Sequence, residues 1–282
     1  MTLDELIAQT QRLLPSPQVL PRLLTVLESD DANAWDIVEL VKLDAALTTQ
    51  VLALSNSAYY GFSTSSTDLE EAINRLGFRE LYKLVSLILC KKLIGSGGLD
   101  TYLLDEGQLW EHSLAVALAA ESIAGMAGEN PSLAYTVGLM HCIGKLAINQ
   151  LGADLYEAVY EKIETEGLTM LEAENEVLGF DHAEASAALL KHWKFPDEAF
   201  LPIAHQYAPA KATDFAGMTS VLHAAVYAAA LIGANHGRDA WAFHLDEGAL
   251  KRARQTSDSI QQVVIQVVDR LDQVKGLIQV QR

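Results

Sequence analysis

The residues best suited to chemistry are four histidines: His112 in Trp-Glu-His-Ser, His141 in Gly-Leu-Met-His-Cys-Ile-Gly-Lys, His182 in Gly-Phe-Asp-His-Ala-Glu and His205 in Pro-Ile-Ala-His-Gln. Each falls on or at the end of a predicted helix, and long stretches of chain separate them. Neutral imidazoles projected inward from several helices of a bundle are one way to build a metal site. Ordinary buried or surface histidines would show the same spacing, so both readings stay open at this point. Other standard sites are missing. Gly144-Lys145 is followed by Leu146, which rules out a phosphate-cradling loop ending in Gly-Lys-Ser/Thr, and no Gly-x-Ser-x-Gly, Cys-x-x-Cys or His-Glu-x-x-His occurs.

The elements that must position these groups read as helices nearly throughout. Thr2 with Glu5, Thr67 with Glu70, Thr169 with Glu172 and Asp181 with Glu184 have the form of capping boxes, and apolar residues at helical spacing follow each. Leu69, Ile73 and Leu76 are one such stripe, with Gly77 as its stop. No run shows sustained strand alternation between tight turns, so the fold class is all-α. Pro15, Pro17, Pro21, Asn56-Ser57 and Gly61 punctuate a first set of short helices, and Gly95-Ser-Gly-Gly98 is a fair hinge. Longer alanine-rich helices are predicted beyond it, over about 106–128 and 132–150. Residues 1–100 then form a first helical lobe, 101–235 a second, and 236–282 a C-terminal extension. In that extension Ile260, Val263, Val264, Val267, Val268, Leu271, Val274 and Leu277 form a one-sided stripe. It either docks on the core or joins two copies as a homodimer.

Composition excludes several classes. The chain has 282 residues, half of them apolar, with 20 basic and 37 acidic side chains and a formal charge of −17. A disordered chain would carry fewer apolar residues for this charge. The acidic field repels polyanions, so neither nucleic acid nor an anionic membrane is expected as a partner. Cys90 and Cys142, both in apolar surroundings, suit a reducing compartment. The acidic N-terminus lacks the features of a signal peptide, and the apolar run from Val221 to Ala234 contains His223 and is too short to span a bilayer. A cytoplasmic protein is the expectation.

Two longer patterns carry a resemblance. Gly138-Leu-Met-His-Cys-Ile-Gly-Lys-Leu146 resembles the Gly-Leu-Leu-His-Asp-Ile-Gly-Lys signature of HD-superfamily metal-dependent phosphohydrolases. Leu43-Asp-Ala-Ala-Leu-Thr-Thr-Gln-Val-Leu-Ala-Leu-Ser-Asn-Ser-Ala-Tyr-Tyr-Gly61 is similar to the first-lobe hallmark of the HDOD domain, the HD-related output domain. Ala72-Ile-Asn-Arg-Leu-Gly77, Gly179-Phe-Asp-His182 and Trp193-Lys-Phe-Pro196 follow in the family's order, over roughly residues 15 to 225. Ala45 stands where the family usually has proline. The resemblance implies an HD-like helical bundle preceded by a smaller helical lobe, and a role in bacterial signal transduction. The length leaves no room for an added receiver, kinase or cyclase domain, so a stand-alone output module is expected.

Carried over position by position, the resemblance makes His112 and His141 counterparts of metal-ligand histidines. His182 and His205 match the extra histidines of some two-metal branches. Cys142, however, stands where the doublet has aspartate, and Val226 where the terminal aspartate belongs. Those losses remove the hard anionic ligands of a phosphohydrolase centre. The implied protein is therefore a non-catalytic regulator acting through a signalling partner or a small ligand, with no cofactor expected beyond a residual divalent metal on the histidines. The alternative is a surviving phosphohydrolase acting on a nucleotide or cyclic dinucleotide. In the first-lobe hallmark Asp44 reads as an N-cap, Leu47 with Val51 and Leu54 as a core stripe that Thr48 accompanies, and Asn56-Ser57 as a helix stop. Tyr59, Tyr60 and Phe62 after it offer an exposed aromatic patch for a protein partner.

Overall fold

The computed structural model describes residues 2–10, 19–29, 33–62, 64–95, 97–234, 237 and 244–279. Among these there is no strand, only an isolated bridge between Leu99 and Leu104. The first helices are α1 (Leu3–Thr10), α2 (Val19–Glu28), α3 (Ala34–Lys42), α4 (Ala45–Ser55), α5 (Leu69–Leu76) and α6 (Phe78–Ile94). Pro21 falls in the first turn of α2, where its missing N–H would have had no helical partner anyway; Pro15 and Pro17 lie outside the described residues. The cap expected at Thr67 sits one residue later. Asp68 accepts from the Glu71 N–H, while the Glu71 carboxylate accepts from the Thr67 N–H. Aspartate is the better N-cap, so the local frame moves by one. Gly77 then ends α5 at φ 78°, and α6 starts at once.

Gly95 closes α6, and a short bridged turn follows in which Leu99 and Leu104 exchange backbone hydrogen bonds of 2.8 and 3.1 Å. Gly97 and Gly98 lead into that turn; Ser96 of the expected hinge lies outside the described residues. The second group comprises α7 (Gln108–Ala127), α8 (Pro131–Met140), α9 (Gly144–Asn149), α10 (Ala153–Glu166), α11 (Met170–Leu178), α12 (His182–His192), α13 (Asp197–Ala204) and α14 (Ala216–Ile232). The chain ends in α15 (Glu247–Arg252) and α16 (Ser257–Gln279). Thr169 and Asp181 each complete the expected capping box.

The long helix expected over 132–150 is broken into α8 and α9 by a turn at His141–Ile143. Close packing at both ends of the break explains it. A Cβ on Gly138 would lie 2.6 Å from the Ala117 Cα, and one on Gly144 would lie 2.4 Å from both the His182 carbonyl and the Ser186 nitrogen. Those two glycines let α7 and α12 press on the same turn from two sides. The Gly144 N–H donates to Ser186 Oγ at 2.8 Å, so the break is bonded into its neighbour.

Helix α7 is the central element, packed by α6, α8, α14 and α16. Helix α1 packs on α9 and α12, and so belongs spatially with the helices beyond residue 100. Helix α16 lies against α7 and α14 with Ile260, Val263, Val267, Leu271, Val274 and Leu277 buried. Arg270 pairs with Glu121, and Lys275 with Glu111 at 2.7 Å, along its rim. Six of the eight stripe residues are thus used within the chain, whereas Val264 is half-buried and Val268 exposed. No described helix is long and apolar enough to cross a membrane.

Candidate functional site

His112 and His141 meet in the core. Helix α7 carries His112 in its second turn and α8 ends at His141; both side chains are wholly buried. Their Nε2 atoms are 3.1 Å apart. Each Nδ1 is directed to a backbone carbonyl, His112 to Ala234 at 3.2 Å and His141 to Gly138 at 2.7 Å. Two neutral imidazoles hold two N–H protons, whereas these three contacts as hydrogen bonds would need three. The Nδ1 anchors orient both rings as carbonyl-bound, metal-ligating histidines are oriented.

Around this pair the expected ligands diverge. Cys142 is buried, and its Sγ lies 3.1 Å from Ser113 Oγ one residue after His112. Val226 is wholly buried in α14. His205 closes α13 at the surface and lines a cavity of about 730 Å³ with Asn175, Asp181, Glu184, Tyr207 and Lys211. Among the described residues, no group of three or more His, Cys, Asp or Glu side chains is placed to hold a metal ion.

His182 belongs to a separate buried network. Its Nδ1 and its backbone N–H both lie 2.8 Å from Glu174 Oε2, and its Nε2 lies 3.1 Å from the Tyr207 hydroxyl. Glu174 Oε1 accepts from Tyr102 at 2.7 Å and from Tyr156. Burial alone would raise the Glu174 pKa; His182 beside it and the two phenols outweigh that and hold it below the ordinary carboxylate value. The Lys145 ammonium, also buried, lies 4.7 Å from the centre of the Tyr102 ring. Sequence reasoning missed Glu174. Its signal was its place on the apolar face of α11, one turn beyond Met170 and next to Ala173.

A fourth buried histidine, His223, ties the C-terminal elements to the core. Its Nδ1–H donates to the Gln206 carbonyl at 2.7 Å, and its Nε2 accepts from the Asp246 N–H at 2.9 Å. Only the neutral ring can do both, and burial pushes its pKa down. Gln206 in turn donates to the His141 carbonyl at 3.1 Å, while its own Oε1 is buried with no hydrogen-bond partner among the described residues.

The first-lobe hallmark has structural work to do. Asp44 caps α4 by accepting from the Ala46 and Leu47 N–H groups, and Leu47, Val51 and Leu54 are buried. The Thr48 hydroxyl donates to the Val41 carbonyl at 3.1 Å. Asn56 ends the helix and clasps Ser66 across the following loop through both side-chain and backbone groups; Ser57 accepts from the Tyr60 N–H in a turn.

Comparison with known proteins adds the following. The HDOD domain family matches residues 13–209. A protein of Treponema pallidum (strain Nichols), named only as uncharacterized, is 28% identical over 187 residues, 64% of this chain and 35% of that protein. The match therefore spans about a third of the relative's length. A solved structure from Marinobacter aquaeolei VT8, provisionally named a signal transduction protein, superposes with TM-score 0.75 at 22% identity, over 93% of this chain and 58% of that one. One from Shewanella amazonensis SB2B, provisionally named a phosphohydrolase, gives 0.71 at 24% identity over 96% and 98% of the two chains. An HDOD domain protein of unknown function from Geobacter sulfurreducens gives 0.67 at 22% over 95% and 97%. At these identities the structures share the fold.

Proposed function

This chain belongs to the HDOD domain family, and from that premise we propose that it is a bacterial, cytoplasmic signalling protein that acts by binding and not by catalysis. The observation that carries the reading is the pairing of Cys142 with Ser113 at the doublet position. A phosphohydrolase needs a divalent metal there to polarise the phosphoryl group and to generate hydroxide from bound water. Hard divalent ions favour carboxylate oxygens. Here that position offers a buried thiol already engaged with a hydroxyl, and the terminal position offers the Val226 isopropyl group. The residues present therefore fit a phosphohydrolase metal centre poorly. A small buried side chain in place of a lost ligand leaves a packed core and keeps the fold as a platform.

The second reading is a metal-dependent phosphohydrolase that works with His112, His141, His182 and His205. The convergence of two carbonyl-anchored Nε2 atoms favours it. Against it, His182 is committed to Glu174 and Tyr207, and His205 sits at the surface cavity. The test is hydrolysis of cyclic dinucleotides, nucleotides and a generic phosphodiester with manganese, iron or zinc supplied. The binding reading expects no turnover above buffer, with His141→Ala indistinguishable from the parent. Turnover lost in His141→Ala at unchanged helicity would establish the enzyme.

A further inference from the structure

The loop after α4 carries three aromatic rings that pack into a ladder. Tyr59 meets Tyr60 edge-on with centroids 4.9 Å apart, and Tyr60 stacks on Phe62 at 6.3 Å with ring planes 11° apart. The Arg75 guanidinium lies 5.7 Å from the Phe62 centroid and closes that end. It is held there by Glu71, by the Thr64 carbonyl and by Thr64 Oγ1 at 2.9 Å. Tyr59 and Phe62 remain 43% and 41% exposed, so the ladder's open end is Tyr59. This display is built rather than loose. Asn56 clasps Ser66 across the loop, and the Tyr60 and Gly61 N–H groups close turns onto the Ser57 and Ala58 carbonyls. An aromatic surface held in place before binding loses little entropy on docking.

Charge decides what such a surface takes. Asp68 and Glu70 are exposed at the start of α5, directly after the loop. Glu80 stands near enough to Tyr60 that its charge adds to burial in raising the phenol pKa. Three nearby cations are engaged, Lys42 with Glu39 and Glu70, Arg75 with Glu71, and Lys83 with Glu80 and Glu121, while Arg79 on α6 is exposed. The chain as a whole carries −17. Ring faces attract cations, and arginine most readily, because its planar guanidinium stacks and is weakly hydrated. The chain's own Arg75 already occupies one face in this way.

We propose that the Tyr59–Tyr60–Phe62 ladder docks an arginine-containing basic segment of a partner protein, one guanidinium stacking on Tyr59 while Asp68 and the chain's net negative charge attract the flanking charges. The proposal rests on the binding reading above and supplies its surface and the partner's chemistry. The same field repels nucleic acid and anionic lipid.

The experiment uses the full chain and a fluorescently labelled synthetic peptide of alternating arginine and glycine, read by anisotropy, with a lysine–glycine peptide beside it. Saturable binding is expected, stronger for arginine than for lysine. Tyr59→Ala and Phe62→Ala should each weaken it about three- to tenfold, the range of cation–ring contacts, at unchanged melting temperature. Leu231→Ala, a more exposed apolar change on α14, should leave it unaltered. Absence of saturable binding would overturn the proposal. So would binding that salt abolishes but neither aromatic substitution weakens, since that is attraction to net charge alone. Tighter binding of a single-stranded RNA probe than of the arginine peptide would also overturn it. Failure here with no phosphodiester turnover would remove the ladder and leave the binding reading standing, whereas turnover lost in His141→Ala would remove that reading itself.

Discussion

Glu174→Gln tests the buried network most sharply, because the number of donors around that carboxylate is known. Oε1 accepts from the hydroxyls of Tyr102 and Tyr156, and Oε2 accepts from the His182 backbone N–H and faces its Nδ1. Glutamine replaces one oxygen with an NH₂ group. Turned toward His182, that group would confront a backbone N–H that cannot rotate away. It must therefore turn toward the phenols, whose protons can reorient. Two hydrogen bonds to a charged acceptor are exchanged for weaker neutral ones, and the His182 N–H groups face a neutral amide oxygen in place of a carboxylate. Charge-assisted hydrogen bonds contribute about 1.5–3 kcal/mol each, and partial recovery by the amide brings the expected loss to about 3 kcal/mol. For a chain of this size that is a fall of about 5 °C in melting temperature. Circular dichroism melts at neutral pH read it directly, with Tyr102→Phe and Tyr156→Phe, each removing one donor, as controls at about 1.5–3 kcal/mol each. A fall of less than about 2 °C for Glu174→Gln would refute the assignment of this carboxylate as an ionised, four-donor acceptor.

Three further outcomes follow from the geometry. His223 is held neutral, its pKa lowered chiefly by burial, so the unfolded chain takes up its proton first as pH falls below about 6.5. Stability present above that pH should be lost progressively toward the lower folded value; urea midpoints should decline through this window, and His223→Gln should flatten the decline. Gly144→Ala places a methyl group 2.4 Å from backbone atoms of α12, which cannot yield as a side chain would, and should cost about 3 kcal/mol or more by denaturant titration. Cys142→Asp with Val226→Asp buries two carboxylates, so the double variant should melt lower than the parent without metal. If the inherited geometry persists, manganese or zinc should raise its melting point; an equal response in the parent would contradict the mapping of these two positions.

The fold was legible where local chemistry was strong. The capping boxes at Thr169 and Asp181, the Asp44 cap and the Gly77 stop are all present. The break between α8 and α9 was not legible, because it depends on α7 and α12 pressing against Gly138 and Gly144, and contacts between distant segments leave no periodic signal. The same holds for α16: its stripe was visible, but its docking on α7 and α14 was one of two readings. At the site, the meeting of His112 with His141 followed from the family resemblance. The separation of His182 did not, since it turns on Glu174, a carboxylate on an apolar helix face that pattern reading passes over among 37 acids.

On the binding reading, His112 and His141 hold no functional metal. The most direct measurement is metal content by mass spectrometry on tag-free protein purified without chelator, repeated after incubation with manganese, iron or zinc and exhaustive dialysis. Less than a tenth of an equivalent of any transition metal is the expected result, on the order of background. A stoichiometric metal, released by His112→Ala or His141→Ala, would contradict the claim and return the protein to the phosphohydrolases.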